Sequence, residues 1–122
     1  MSSYQSLALN YFGLSGKGFP IRVFARASGI PFTDNRLSFE QWGPIKAEGK
    51  LAPLGQLPVL QVNGETEGYC QSIPLSCFCA KLAGCYPSDP LEQLKVDEIV
   101  ATIDGKVINI TIIYATRFIF AL

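Results

Sequence analysis

The sequence has no histidine, and its charge is sparse and balanced: ten Lys+Arg stand against ten Asp+Glu, 16% of 122 residues. Without histidine, imidazole general-base chemistry and most zinc and haem sites are excluded. A formal net charge of zero excludes the strong, salt-sensitive attraction on which nucleic-acid binding rests. Residues 1–7 are polar and lack the continuous apolar stretch of a secretory leader, so no signal peptide is expected. Apolar residues make up 48% of the chain, which excludes a disordered polymer. A chain of this length forms one domain, or one small domain plus a fragment, and buries roughly 65% of its unfolded surface.

The four cysteines, Cys70, Cys77, Cys79 and Cys85, crowd into one short stretch. A disulfide framework would spread them, and a core of this size needs no staples. Free thiols in a reducing, cytoplasmic setting are therefore expected. Cys77 and Cys79 are two apart, so on a helix their side chains diverge and form no metal or redox pair. Residues 107–122 are almost wholly apolar, broken by Asn109 and Arg117. That run is shorter than the ~20 residues a membrane span needs, and no membrane association is expected.

Leu7, Leu9 and Tyr11 alternate with Ala8, Asn10 and Phe12, the period of a strand over Leu7–Phe12. Glycines 13, 16 and 18 break it, and Ile21, Phe24, Ala25 and Ala27 then predict a helix over 17–28, closed by Gly29. A second strand is expected over 32–37 and a weak helix, interrupted by Pro44, over 40–48. Residues 57–62 read as a strand, Asn63-Gly64 as a hairpin turn, and 65–69 as the returning strand. Ser72 is the expected N-cap of a helix over 72–83 that carries Pro74 in its first turn and ends before Gly84. A βαβ unit beside a ββα unit makes an α/β fold, a mixed sheet with helices on its faces. The Pro87-Ser88-Asp89-Pro90 linker divides the chain into 1–86 and 87–122, and Leu91, Leu94, Ile99, Val100, Ile103 and Val107 predict a further helix beyond it.

Several residues carry chemistry. Tyr11 ends a strand ahead of a glycine-rich turn and a helix, where a phenol can donate to a thiolate and lower the thiol's pKa. A free thiol, with a pKa of about 8.5, is mostly protonated at neutral pH; lowering it by ~2 units takes under 3 kcal/mol. Gln71-Ser72 opens a helix, an arrangement that receives a carboxylate. Leu57 precedes Pro58, and a cis bond there would leave the Leu57 backbone open to an extended peptide. Trp42 and Lys46, four apart, can present an indole N–H and an ammonium to a second carboxylate. Taken singly, Tyr11 also fits a core tyrosine, Ser72 an ordinary cap, and Trp42 and Lys46 a solvated face. Taken together they outline a groove for a small, extended, doubly anionic thiol peptide.

Leu9-Asn10-Tyr11-Phe12, the Gly16-Lys17 turn, Trp42 with Lys46, Gly55-Gln56-Leu57-Pro58-Val59-Leu60, Gln71-Ser72 and Val96-Asp97 resemble the cytosolic glutathione S-transferases, the tyrosine-type and sigma classes above all. The resemblance covers nearly everything from residue 7 to about 104. It implies a thioredoxin-like, glutathione-binding N-terminal domain followed by an incomplete all-α segment. It also implies Tyr11 as the thiol-activating residue, Gln71 and Ser72 on the γ-glutamyl carboxylate, and Gln56, Leu57 and Pro58 along the cysteinyl backbone. Trp42 and Lys46 would lie at the glycine end, with Lys17 lining the site where relatives often have arginine. Glutathione is then the co-substrate, with no metal, and small electrophiles are the acceptors. A homodimer is implied whose interface this chain carries only in part. The implied function is glutathione conjugation or glutathione-dependent isomerisation; a non-catalytic glutathione-binding or crystallin-like structural protein, or an inactive truncated transferase, is the alternative. Ser15 and Gly105 stand where relatives carry arginine and aspartate.

Overall fold

The computed structural model describes residues 3–104. Strand β1 (Leu7–Phe12) leads through a 3-10 turn (Gly16–Gly18) into helix α1 (Phe19–Ala27) and strand β2 (Phe32–Leu37). Helix α2 (Phe39–Glu48), strands β3 (Val59–Val62) and β4 (Tyr69–Cys70), and helices α3 (Ser72–Leu82) and α4 (Pro90–Asp104) follow. The sheet order is β2-β1-β3-β4, with β1 parallel to β2 and the other pairs antiparallel. This is the mixed α/β sheet the strand and helix patterns imply.

Hydrophobic alternation sets the register. Leu7, Leu9 and Tyr11 face inward onto Ile21 and Ala25 of α1 and Leu75 and Cys79 of α3, joined by Leu60 and Val62 from β3. Each buried leucine contributes about 1.5–3 kcal/mol. The opposite face of β1 turns Asn10 inward, 4% exposed, and a side-chain ladder satisfies it: Asn10 Nδ2 donates to Gln61 Oε1 and Asn35 Nδ2 to Asn10 Oδ1, each at 3.1 Å.

The helix expected over 17–28 begins two residues later, because the Gly16–Gly18 segment takes the tighter 3-10 form. The helix expected over 40–48 runs through Pro44 unbroken. A capping box starts it: Ser38 accepts from the Gln41 N–H at 3.1 Å, and the Gln41 side chain accepts from the Ser38 N–H at 2.8 Å. Strand β3 starts at Val59, not Leu57; the Leu57–Pro58 peptide ahead of it is cis, and Pro58 has no N–H to give to a ladder.

The partner strand expected over 65–69 is only Tyr69–Cys70. Asn63 and Gly64 do form the tight turn, both at positive φ, closed by the Glu65 N–H on the Val62 carbonyl at 3.1 Å. Beyond it the Gln61 amide donates to the carbonyls of Glu65 and Thr66, and the Gly68 N–H goes to the Leu51 carbonyl. Those bonds hold residues 65–68 off the β3 ladder. A Cβ at Gly68 would collide with Val59 Cγ1. Gly68→Ala is therefore expected to destabilise the fold by about 1–3 kcal/mol; an unchanged urea midpoint would contradict this.

Helix α4 is capped by Asp89, whose Oδ2 accepts from the Leu91 and Glu92 N–H groups at 3.1 Å. It meets α3 through Asp97, which accepts from Tyr86 Oη at 2.6 Å and from Cys77 Sγ at 3.7 Å. That hydrogen bond, ahead of burial, pushes the Tyr86 phenol up to about 12. Leu91, Leu94 and Ile99, expected on the inner stripe of this helix, are exposed. The apolar run 107–122, with its part in the second segment, lies outside the described residues.

Candidate functional site

The end of β1 and the turn after it form the centre of the site. Tyr11 is buried, and its Oη accepts the Lys17 N–H at 3.3 Å. That leaves the phenolic proton to donate outward, and accepting a bond from the backbone strengthens it as a donor. The turn closes tightly on the ring: a Cβ at Gly18 would come within 2.5 Å of Tyr11 Cδ1, and one at Gly16 within 2.9 Å of Tyr11 Oη. The glycines that read as strand breakers are what let the backbone reach the hydroxyl.

Arg22, which sequence reasoning did not single out, holds this turn from behind. It is 4% exposed on the inner face of α1. Its Nε donates to both carboxylate oxygens of Asp34 in β2, at 3.0 and 3.1 Å. Nη1 reaches the Leu14 carbonyl at 2.6 Å and Nη2 the Phe12 carbonyl at 2.8 Å, and the guanidinium carbon lies 5.6 Å from the centre of the Tyr11 ring. Burial pushes the Asp34 carboxyl up, but hydrogen bonds and charge from Arg22, with Arg36 and Arg26, hold it below its ordinary value overall. The signal in the sequence is its spacing: Arg22 stands three residues before Ala25 and so shares a helix face with a small apolar residue.

The start of α3 forms the second part. Gln71, not Ser72, occupies the N-cap, at φ 81, and its side chain makes no cap bond. Ser72 is the first helical residue, and its hydroxyl is spent elsewhere: Ser72 Oγ donates to Asp104 Oδ1 at 2.6 Å. Lys17 Nζ stands 3.7 Å from the other oxygen of Asp104. Two expected site residues, Lys17 and Ser72, thus meet at one carboxylate from the end of α4. Gln71 Nε2 donates to Gln56 Oε1 at 3.2 Å, joining two more.

The cis Leu57–Pro58 peptide enters β3, and the Val59–Cys70 pairing carries Pro58 and Gln71 to the same end of β3 and β4. Pro58 is buried and Leu57 packs against the core. On α2, Trp42 is half-buried and Lys46 exposed; Lys46 Cε lies 3.6 Å from where a Gly55 Cβ would begin. Beside Tyr11, the Phe12 ring stacks on Phe39 at 4.5 Å, with Phe39 75% exposed. All four cysteines are free, and burial pushes Cys79 up to about 12, far from a reactive thiol. Among the described residues no group of three or more Cys, Asp or Glu gathers as a metal site, and no helix is long and apolar enough to cross a membrane.

A parallel β1–β2 pair, an antiparallel β1–β3–β4 extension and a cis proline leading into β3 define the class: a thioredoxin-like domain of the glutathione-transferase type. Comparison with known proteins points the same way. The chain is 32% identical over 103 residues to a glutathione S-transferase of Anopheles gambiae, covering 84% of this chain and 48% of that one. It is 34% identical over 96 residues to the hematopoietic prostaglandin D synthase of Gallus gallus, covering 79% and 46%. The solved prostaglandin synthase D of Nilaparvata lugens superimposes with a TM-score of 0.71 at 36% identity, over 82% of this chain and 48% of that one. No protein-family profile matches. Over 84% of its length the chain is similar to a glutathione S-transferase, and it spans about half the length of the curated relatives it matches.

Proposed function

We propose that the protein binds reduced glutathione and transfers its thiolate to small electrophiles, or uses it to isomerise a bound substrate. The observation that carries this is Tyr11 Oη held by the Lys17 N–H at the mouth of a glycine turn, with its own proton left to donate. The glutathione thiol loses its proton to solvent, and the Tyr11 O–H donates to the sulfur anion. The sulfur then bonds to the electrophilic carbon, and in an aryl halide the halide leaves with its electron pair.

The N–H groups of Ser72 and Ile73, in the first turn of α3, receive the γ-glutamyl carboxylate together with the Gln71 side chain. Ser72 Oγ joins them only by releasing Asp104, because a hydroxyl has one proton to give. The Leu57 backbone, beside Pro58 and Gln56, pairs with the cysteinyl unit. Trp42 and Lys46 serve the glycine carboxylate, and Lys17 lines the site. The division into a glutathione-binding unit 1–86 and a helical segment 87–122 belongs to the same reading. So do a cytoplasmic setting, supported by the free cysteines, and a homodimer, supported by Tyr69, Leu91 and Leu94 left exposed.

Binding without turnover, as in a crystallin-like relative, is the second reading. Engagement of the Ser72 hydroxyl by Asp104 favours it, because it withholds a donor from the peptide. Turnover of a chromogenic aryl halide with glutathione, set beside retention on immobilised glutathione, separates the two: retention without turnover selects the second. Gln71→Ala is expected to weaken glutathione binding about tenfold, the worth of one charge-assisted hydrogen bond, and to leave the rate at saturation unchanged. Unaltered affinity by calorimetry would remove Gln71 from the site.

A further inference from the structure

We propose that Arg22 is a positioning residue for Tyr11: by clamping the carbonyls of Phe12 and Leu14 it sets the turn that delivers the Lys17 N–H to the phenol, and so controls the acidity of the bound thiol. This rests on the glutathione reading above. The guanidinium donates from all three of its nitrogens. Its Nε side is anchored on Asp34, and its two terminal nitrogens go to carbonyls on either side of Gly13, where the chain leaves β1.

A buried cation directed at backbone carbonyls fixes the path of the loop more firmly than packing alone could, because each carbonyl would otherwise lose its partner. The turn so fixed runs from Phe12 to Gly18, and it is the segment whose Lys17 N–H bonds Tyr11 Oη at 3.3 Å. The same guanidinium faces the Tyr11 ring at 5.6 Å, so ring and turn are held by one group. The other charges near the phenol are Lys17 from the 3-10 turn and, behind it, Asp104 from α4; Asp34 of β2 stands behind Arg22.

Lysine at this position keeps the charge beside Asp34 but has no planar fork to span two carbonyls. In Arg22→Lys the thiolate of bound glutathione, followed by its ultraviolet absorbance against pH, is expected to form about one pH unit higher than in the parent. Its kcat at neutral pH is expected to fall about tenfold, while KM for glutathione changes less than about threefold. Val62→Ala, a core change at the far end of β1, serves as the stability control: it should lower the urea midpoint and leave the thiolate midpoint in place. An Arg22→Lys protein with the parental thiolate midpoint overturns the positioning role and leaves the glutathione reading intact. A parent that shows neither thiolate absorbance nor binding heat overturns that reading and this inference with it. Should Arg22→Lys fail to fold, Asp34→Asn, which frees the guanidinium from its charged anchor while keeping the shape, must raise the midpoint in the same direction; an unmoved midpoint there overturns the role equally.

Discussion

Tyr11→Phe is expected to lower aryl-halide conjugation about 100-fold at neutral pH while changing glutathione affinity less than about threefold. The ring stays, so packing against Gly16 and Gly18 is kept; only the hydroxyl is lost. Without that donor the bound thiol returns toward its free pKa of about 8.5, a change of ~2 units or about 2.7 kcal/mol. In the proposed site α2, the cis-proline segment and α3 hold the peptide, while the Tyr11 hydroxyl is bonded to the Lys17 N–H of the turn, so its loss is expected to leave binding in place. The rate gap should also narrow as pH rises past the free thiol's pKa, since solvent then supplies the thiolate unaided. Steady-state kinetics over pH, with calorimetric affinities for both proteins, measures this. Equal rates at neutral pH would take the catalytic role away from Tyr11.

Arg22→Ala is expected to cost about 3–5 kcal/mol, a large share of the roughly 5–15 kcal/mol that holds a domain together. The loss combines a buried ion pair with Asp34 and two carbonyls left without their donor. Arg26 and Arg36 also pair with Asp34, but both are half-exposed and neither reaches the turn. The pH dependence has a definite sign. Asp34 has a lowered pKa in the folded protein, so its pairing contributes fully above the ordinary carboxylate range and is lost as pH falls through the lowered value. The gap in stability between parent and Arg22→Ala should therefore be widest near neutrality and narrow in acid to the part owed to the two carbonyls. Urea unfolding at several pH values reads it; a gap that does not vary with pH would contradict the pairing.

Much of this architecture was legible in the chain because it rests on local pattern. Alternation placed Leu7–Phe12, helical spacing with Gly29 and Gly84 placed α1 and α3, and Asn63-Gly64 placed a turn that forms as read. What escaped depends on residues distant in sequence. Arg22 meets Asp34 across 12 residues and Ser72 meets Asp104 across 32, and nothing in the neighbourhood of either announces its partner. Strand β4 shifted because Gln61 and Leu51 claim the backbone of residues 65–68, a competition that alternation does not register. Gln71 displaced Ser72 as N-cap through a positive φ, and residue type alone does not predict that conformation for glutamine. The capping box of α2 is the exception: Ser38 and Gln41 stand at the spacing that signals one, and the helix it starts runs on through Pro44.

Calorimetric titration of reduced glutathione into the folded chain tests most directly whether these residues form one peptide site. Saturable heat with one site per chain, abolished when the γ-glutamyl carboxylate is amidated, is the expected result. No heat of binding in protein with a cooperative unfolding transition would contradict it.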